Sequence, residues 1–201
     1  MCVCVFYMCS IDTFSFLSDF VSYKILAKAP TSPSLTHSSL SVCFHRRKSQ
    51  IQTYLEQNEG PGLQHLALKT KDIFSTVRKM RQSQRDLFGF ELMKKPSDEY
   101  YRELPDRLGD QLTTAQYEEL EELGILADSD EEGILLQLFT KPIGDRPTFF
   151  FEIIQRIGCV VTYDEDSPEL TFERPGCGGF GQGNFRELFK SIEDHEKTLK
   201  V

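Results

Sequence analysis

The chain is 201 residues long with a formal net charge of -8 and a pI near 5.1, so it offers no basic face to neutralise phosphates, which argues against nucleic acid as its partner. Hydrophobic residues at 39% and charged residues at 27% exclude a fibrous or wholly disordered chain. The length fits one ordinary domain, or one domain carrying a long tail.

Residues 1–46 differ in kind from the rest of the chain and read as a poorly ordered tail. The opening MCVCVFYMCSIDTFSFL lacks a basic n-region and is interrupted by Asp12, with Asp19 close behind, so it makes neither a signal peptide nor a membrane span. Lys24 to Lys48 is rich in serine and free of acidic residues, as organellar transit peptides are, which sets a plastid beside the cytoplasm as a location. The six cysteines are scattered, with Cys2, Cys4, Cys9 and Cys43 early and Cys159 and Cys177 late. That is no disulfide framework, and such thiols suit a reducing compartment, here the cytoplasm. Cys2, Cys4 and Cys9 with His37, Cys43 and His45 do not match the spacing of a zinc site.

Residues 47–201 form the folded unit. GLQHLALKT predicts a strand with Leu63, His65 and Ala67 on one face. Asp72 then caps a helix from Ile73 to about Gln84, and a short strand is expected at FELMKK before Pro96. A helical insertion comes next, in which Thr113 and Gln116 make a capping box and Gly124 closes the helix. GILLQLFT and TFFFEIIQ, joined by KPIGDRP, are closing antiparallel strands, so the order is β-α-β-β-β in an α+β module. A glycine-rich run precedes a final helix from Phe185, with Asn184 as N-cap, Glu187 at its third position and a stripe of Phe185, Leu188, Phe189, Ile192 and Leu199. Gly176, Gly178 and Gly181 spell GxGxxG, but Pro175 precedes them and no βαβ unit surrounds them, so they read as hinges of a mobile loop.

If the hairpin turns about Gly144 and Asp145, Gln137 faces Glu152 and Phe139 faces Phe150, with all four side chains on one side. A carboxylate and an amide in runs as apolar as LLQLF and FFFEII are costly to bury alone, so that face is either wet or holds a ligand. Taken singly, each residue also has a plain structural reading: Glu152 pointing to solvent from an edge strand, and His65 as a hydrogen-bonded core histidine.

KSQIQTYLEQNEGPGLQHLAL, GILLQLFTKPIGDRPTFFFEIIQRIGC and GCGGFGQGNFRELFKSIED, in that order, resemble the 4-hydroxyphenylpyruvate dioxygenases, most nearly those of plants, from Lys48 to near Leu199. The resemblance implies a vicinal oxygen chelate fold of the glyoxalase and dioxygenase type, of which the β-α-β-β-β module is about half of a barrel. It implies Fe(II) as cofactor, with His65 and Glu152 as metal ligands and Gln64 and Gln137 as catalytic members of the polar network. Phe139, Phe180, Asn184 and Phe185 would bind substrate, with Phe185 as the gate. The substrates implied are 4-hydroxyphenylpyruvate and dioxygen, the products homogentisate and CO2. Hydroxymandelate synthase shares the substrate and the metal, and the plant-like closing helix favours the dioxygenase.

The family's first histidine ligand belongs to an earlier module, which residues 1–46 do not resemble, and VVTYDEDSPELTFERPGC departs from the plant pattern. The expectation is therefore a truncated site with two of three ligands, inactive alone. The alternatives are a non-catalytic fragment docking onto an intact homologue, or a single-module metal protein completed as a homodimer.

Overall fold

A computed structural model describes residues 3–8, 50–144, 146–162, 171–174 and 176–199, with the side chains of 3–8, 50 and 199 outside the description. Cys2, Cys9, His37, Cys43 and His45, and most of the loop after Thr162, lie outside the described residues. Within the first 46 residues the structure places one element, strand β1 (Val3–Met8).

Helix α1 (Gln50–Gln57) leads into β2 (Gly62–Lys69) and then α2 (Ile73–Arg85). Asp72 opens α2 by accepting a hydrogen bond from the Ser75 amide at 3.0 Å, and Gln155 Oε1 accepts from the Ile73 amide at 2.8 Å, which fixes the helix to the sheet. The expected strand at FELMKK is reduced to one bridge between Leu92 and Thr140. The Met93 amide to Phe139 carbonyl bond and the Lys141 amide to Glu91 carbonyl bond tie its backbone to the sheet. The module's second strand comes later, after helices α3 (Asp98–Leu108) and α4 (Thr114–Leu123), as β3 (Leu126–Ser129). Thr113 and Gln116 form the expected capping box, and Gly124 ends α4 in the left-handed region at φ 69°.

Strands β4 (Ile134–Phe139) and β5 (Phe150–Ile157) complete the sheet, in the order β1-β2-β5-β4-β3. β2 runs parallel to β5, and the other pairs are antiparallel. The module is therefore β-α-β-β-β with two helices inserted, and its sheet is open, not closed into a barrel. One face packs the core around Ile73, Leu104, Leu120, Ile125 and Leu136.

Two residues separate the observed β4–β5 register from the expected one, since Phe139 pairs with Glu152 and Gln137 with Ile154. The hairpin's last bond runs from the Ile143 amide to the Phe149 carbonyl, so the turn is centred later than the Gly144–Asp145 step. Because the shift is even, Gln137, Phe139, Phe150 and Glu152 still share a face.

A small ribbon of β6 (Val160–Thr162) and β7 (Thr171–Glu173) precedes the glycine run, and helix α5 (Phe185–Leu199) ends the fold. The run is packed and not a free hinge. A Cβ on Gly178 would lie 2.9 Å from the Ile134 carbonyl carbon, the Gly178 amide donates to Asp130 Oδ1 at 3.0 Å, and Arg156 donates to the carbonyls of Cys177 and Gly179. Cys159 and Cys177, expected as thiols, are joined in a disulfide. The turn after β5 brings them together beside Gly133, where a side chain would strike both sulfurs. This pairing withdraws the thiol argument for the cytoplasm. Among the described residues no helix is long and apolar enough to cross a membrane.

Candidate metal centre

The parallel pairing of β2 and β5 sets Ala67 beside Glu152 and His65 beside Phe150. The ring of His65 stacks on Phe150 at 5.0 Å between centroids, and Phe139 closes edge-on to both. In this aromatic frame His65 Nε2 lies 3.5 Å from Glu152 Oε2, and Glu152 is only 3% exposed. The plain reading of Glu152, pointing to solvent from an edge, is therefore wrong: β5 is a central strand and its carboxylate faces inward.

Burial governs the charge of both groups. It lowers His65 to about 3, so the imidazole is neutral at physiological pH. It also raises Glu152 to about 7, against the opposing pull of the Gln137 hydrogen bond and the Arg156 charge. The contact therefore joins a neutral imidazole to a carboxyl group that burial holds partly protonated near neutral pH, and it is not a salt bridge. The Nδ1 atom of His65 lies 3.3 Å from Gln64 Oε1, and donation there leaves the Nε2 lone pair directed at Glu152.

Beyond Glu152 the polar groups form a continuous buried line. Gln137 Nε2 donates to Glu152 Oε1 at 2.6 Å, and Asn184 Nδ2 donates to Gln137 Oε1 at 2.7 Å. Tyr100 then donates its hydroxyl to Asn184 Oδ1 at 2.7 Å. Asn184, expected as the N-cap of α5, spends both ends of its amide in this line. A short 3₁₀ turn (Gln182–Asn184) runs directly into the helix, and the Asn184 amide is satisfied by the Gly181 carbonyl.

The structure thus brings Gln64, His65, Gln137, Phe139, Glu152 and Asn184 into one site. Phe180 sits next to Gly181, whose missing side chain makes room for the Gln137 amide. Phe185 begins α5 and packs on Phe189 at 5.9 Å. Tyr100 was missed, although Ser97 followed by Asp98 and Glu99, with Tyr100, Leu104 and Leu108 at helical spacing, marks α3 in the sequence.

His65 and Glu152 suit two adjacent positions of a site of two histidines and one carboxylate, since an imidazole nitrogen and a carboxyl group converge in a buried, aromatic-walled setting. Among the described residues no group of three or more His, Cys, Asp or Glu is placed to hold a metal ion.

No family model matches this chain. It is 58% identical over 156 residues to 4-hydroxyphenylpyruvate dioxygenases of Daucus carota and of Arabidopsis thaliana, matches that cover 78% of this chain and 34% of theirs. This chain is a homologue of the 4-hydroxyphenylpyruvate dioxygenases over that matched part. It spans about a third of the length of these dioxygenases. A third dioxygenase, from Yarrowia lipolytica, is 37% identical over 186 residues and covers 92% of the chain, so that match reaches into the first 46 residues. Among solved structures, a triple mutant of 4-hydroxymandelate synthase from Streptomyces coelicolor superposes with a TM-score of 0.52 at 30% identity, over 74% of this chain and 35% of that one. The open β-α-β-β-β sheet is accordingly the vicinal oxygen chelate module of this dioxygenase family.

Proposed function

We propose that His65 and Glu152 hold two positions of the Fe(II) site of a 4-hydroxyphenylpyruvate dioxygenase, which converts 4-hydroxyphenylpyruvate and dioxygen to homogentisate and CO2. The observation that carries this reading is the buried pair itself: a neutral imidazole and a carboxylate 3.5 Å apart, braced by Gln64 on one side and Gln137 on the other. When bound, the metal supplies positions at which a 2-oxo acid and dioxygen meet.

The chain's own residues do the rest. Glu152 would hold the metal as a carboxylate, because a carboxylate ligand must be deprotonated. Gln137 holds Oε1 by a hydrogen bond, leaving Oε2 toward His65, while Gln64 holds the far side of the imidazole. Phe139 and Phe150 exclude water from the pair, and Phe139, Phe180 and Phe185 offer an aromatic wall to a phenolic ring, with Phe185 at its entrance and Asn184 behind it.

The third ligand comes from outside the described residues. The isolated chain is then expected to bind iron weakly and not to turn over. Oxygen uptake by the purified chain with Fe(II) and 4-hydroxyphenylpyruvate, followed by assay for homogentisate, tests this. Homogentisate from a strictly monomeric chain would show that the site is complete without a partner. Metal binding that survives replacement of both His65 and Glu152 by alanine would overturn the ligand assignment.

A further inference from the structure

Helix α3 lies outside the β-α-β-β-β repeat, yet it sends two side chains into the joint between the sheet and α5. Tyr100 and Arg107, seven residues apart, meet neighbouring residues of β3. The Tyr100 oxygen accepts from the Ala127 amide at 2.8 Å, and Arg107 reaches Asp128 Oδ1 at 3.2 Å. From there both lead to the residues just before α5, Tyr100 to Asn184 and Asp128 to the Gly183 amide at 2.8 Å. The Arg107 guanidinium also lies over the Tyr100 ring at 5.5 Å.

The direction of the bonds matters more than their number. An amide side chain can present either end, and only its partners decide which. Tyr100 has one proton to give. Its oxygen already receives the Ala127 amide, and the nearer of its acceptors is Asn184 Oδ1 at 2.7 Å, against the Ala127 carbonyl at 3.1 Å. Donation to Oδ1 turns Asn184 Nδ2 toward Gln137 Oε1, which in turn points Gln137 Nε2 at Glu152. With Asn184 reversed, its oxygen would meet Gln137 Oε1 and drive Gln137 to reverse as well; the Gln137 oxygen would then face Glu152, which could bond it only by keeping a proton.

We propose that Tyr100 is a positioning residue for Glu152: acting through Asn184 and Gln137, its hydroxyl sets which end of each amide faces the carboxylate and so holds Glu152 ready to bind a metal ion. The metal part rests on the functional reading above, and the orientation of the amides does not. Tyr101 provides an internal control, since its hydroxyl is also buried on α3 but has no hydrogen-bond partner among the described residues.

The test is the side-chain amide spectrum of Gln137 in the metal-free chain, followed by titration with Co(II). In Tyr100→Phe the Gln137 Nε2 proton that faces Glu152 should lose its hydrogen-bonded shift and exchange with water at least about tenfold faster, while Tyr101→Phe leaves both unchanged. Co(II) should bind Tyr100→Phe about 10 to 100-fold more weakly, the usual effect of losing a group that orients a ligand. Should Tyr100→Phe not fold, Asn184→Asp breaks the next link with Tyr100 intact and is read in the same way. A folded Tyr100→Phe with a wild-type Gln137 amide spectrum would overturn the relay. A lost amide signal with unchanged Co(II) affinity would overturn its link to the metal. If the wild-type chain takes up no Co(II), the ligand reading of His65 and Glu152 falls, and the amide spectrum alone decides the relay.

Discussion

Two regions of this molecule reverse the usual rule of polar outside and apolar inside. In the line from Tyr100 to His65, polar groups lie among apolar strands: Gln137 is 4% exposed and Asn184 1%. In the loop after α2, Leu87 is 92% exposed and Phe88 74%. The first region satisfies its buried groups, with a partner for every polar atom of the Asn184 and Gln137 amides that faces the line. The second exposes apolar surface on a strained backbone, for Leu87 adopts φ 64° without being glycine. Stability is therefore concentrated in the polar interior, where removal of one partner strands another. It is nearly absent from the apolar loop, whose side chains bury little.

The largest effect expected from this contrast is at Gln137. Gln137→Ala leaves Glu152 Oε1 and Asn184 Nδ2 buried without partners, and should cost about 3 to 5 kcal/mol in urea unfolding. A loss below about 1 kcal/mol would mean that water takes the place of the amide and that the line is not dry.

Next comes the pH dependence of the metal-free chain. Because burial raises Glu152 from 4.5 to about 7, its contribution to stability is complete below about pH 4.5 and is lost as pH rises through 7. His65, lowered by burial to about 3, works the other way: its contribution is present above about pH 6.5 and is lost as pH falls toward 3. Glu152→Gln removes the first term alone. The difference in stability between wild type and Glu152→Gln should therefore shift against wild type by roughly 3 kcal/mol between pH 4.5 and 7.5. A constant difference across that range would place Glu152 in contact with water.

How much of this was legible in the sequence depends on how local each cause is. The Asp72 cap, the Thr113 and Gln116 box and the left-handed Gly124 are decided within one helical turn, and each stands where its residue type indicates. The shared face of Gln137, Phe139, Phe150 and Glu152 was legible because a period of two survives an even shift of register. The register itself was not, since a longer turn closing at Ile143 and Phe149 sets it. Asn184 reads locally as a cap, but partners 84 and 47 residues away claim its side chain. The same holds for Cys159 and Cys177, whose pairing depends on where the turn after β5 meets the glycine run.

A smaller effect should come from the backbone that borders the polar line. Gly181 sits at φ 70°, and a Cβ there would collide with the Gln137 amide. Gly181→Ala combines left-handed strain with displacement of that amide, and a cost of about 2 kcal/mol is expected in thermal unfolding. Gly176, also left-handed at φ 79° but with open space around it, separates the two terms. If Gly176→Ala costs as much as Gly181→Ala, backbone strain explains both, and contact with Gln137 adds nothing.

The smallest effects belong to the exposed loop, and there the sign carries the information. Leu87→Gly relieves a left-handed leucine at the expense of a more flexible unfolded chain, and these oppose each other to leave a gain of about 0.5 kcal/mol. Phe88→Ser removes a ring that is mostly in water and should change monomer stability by less than about 0.5 kcal/mol. If instead Phe88→Ser destabilises the purified chain by an amount that grows with protein concentration, the ring is covered in solution by another copy. The loop would then be an interface, and its exposed apolar surface would match the buried polar line as a feature retained for function.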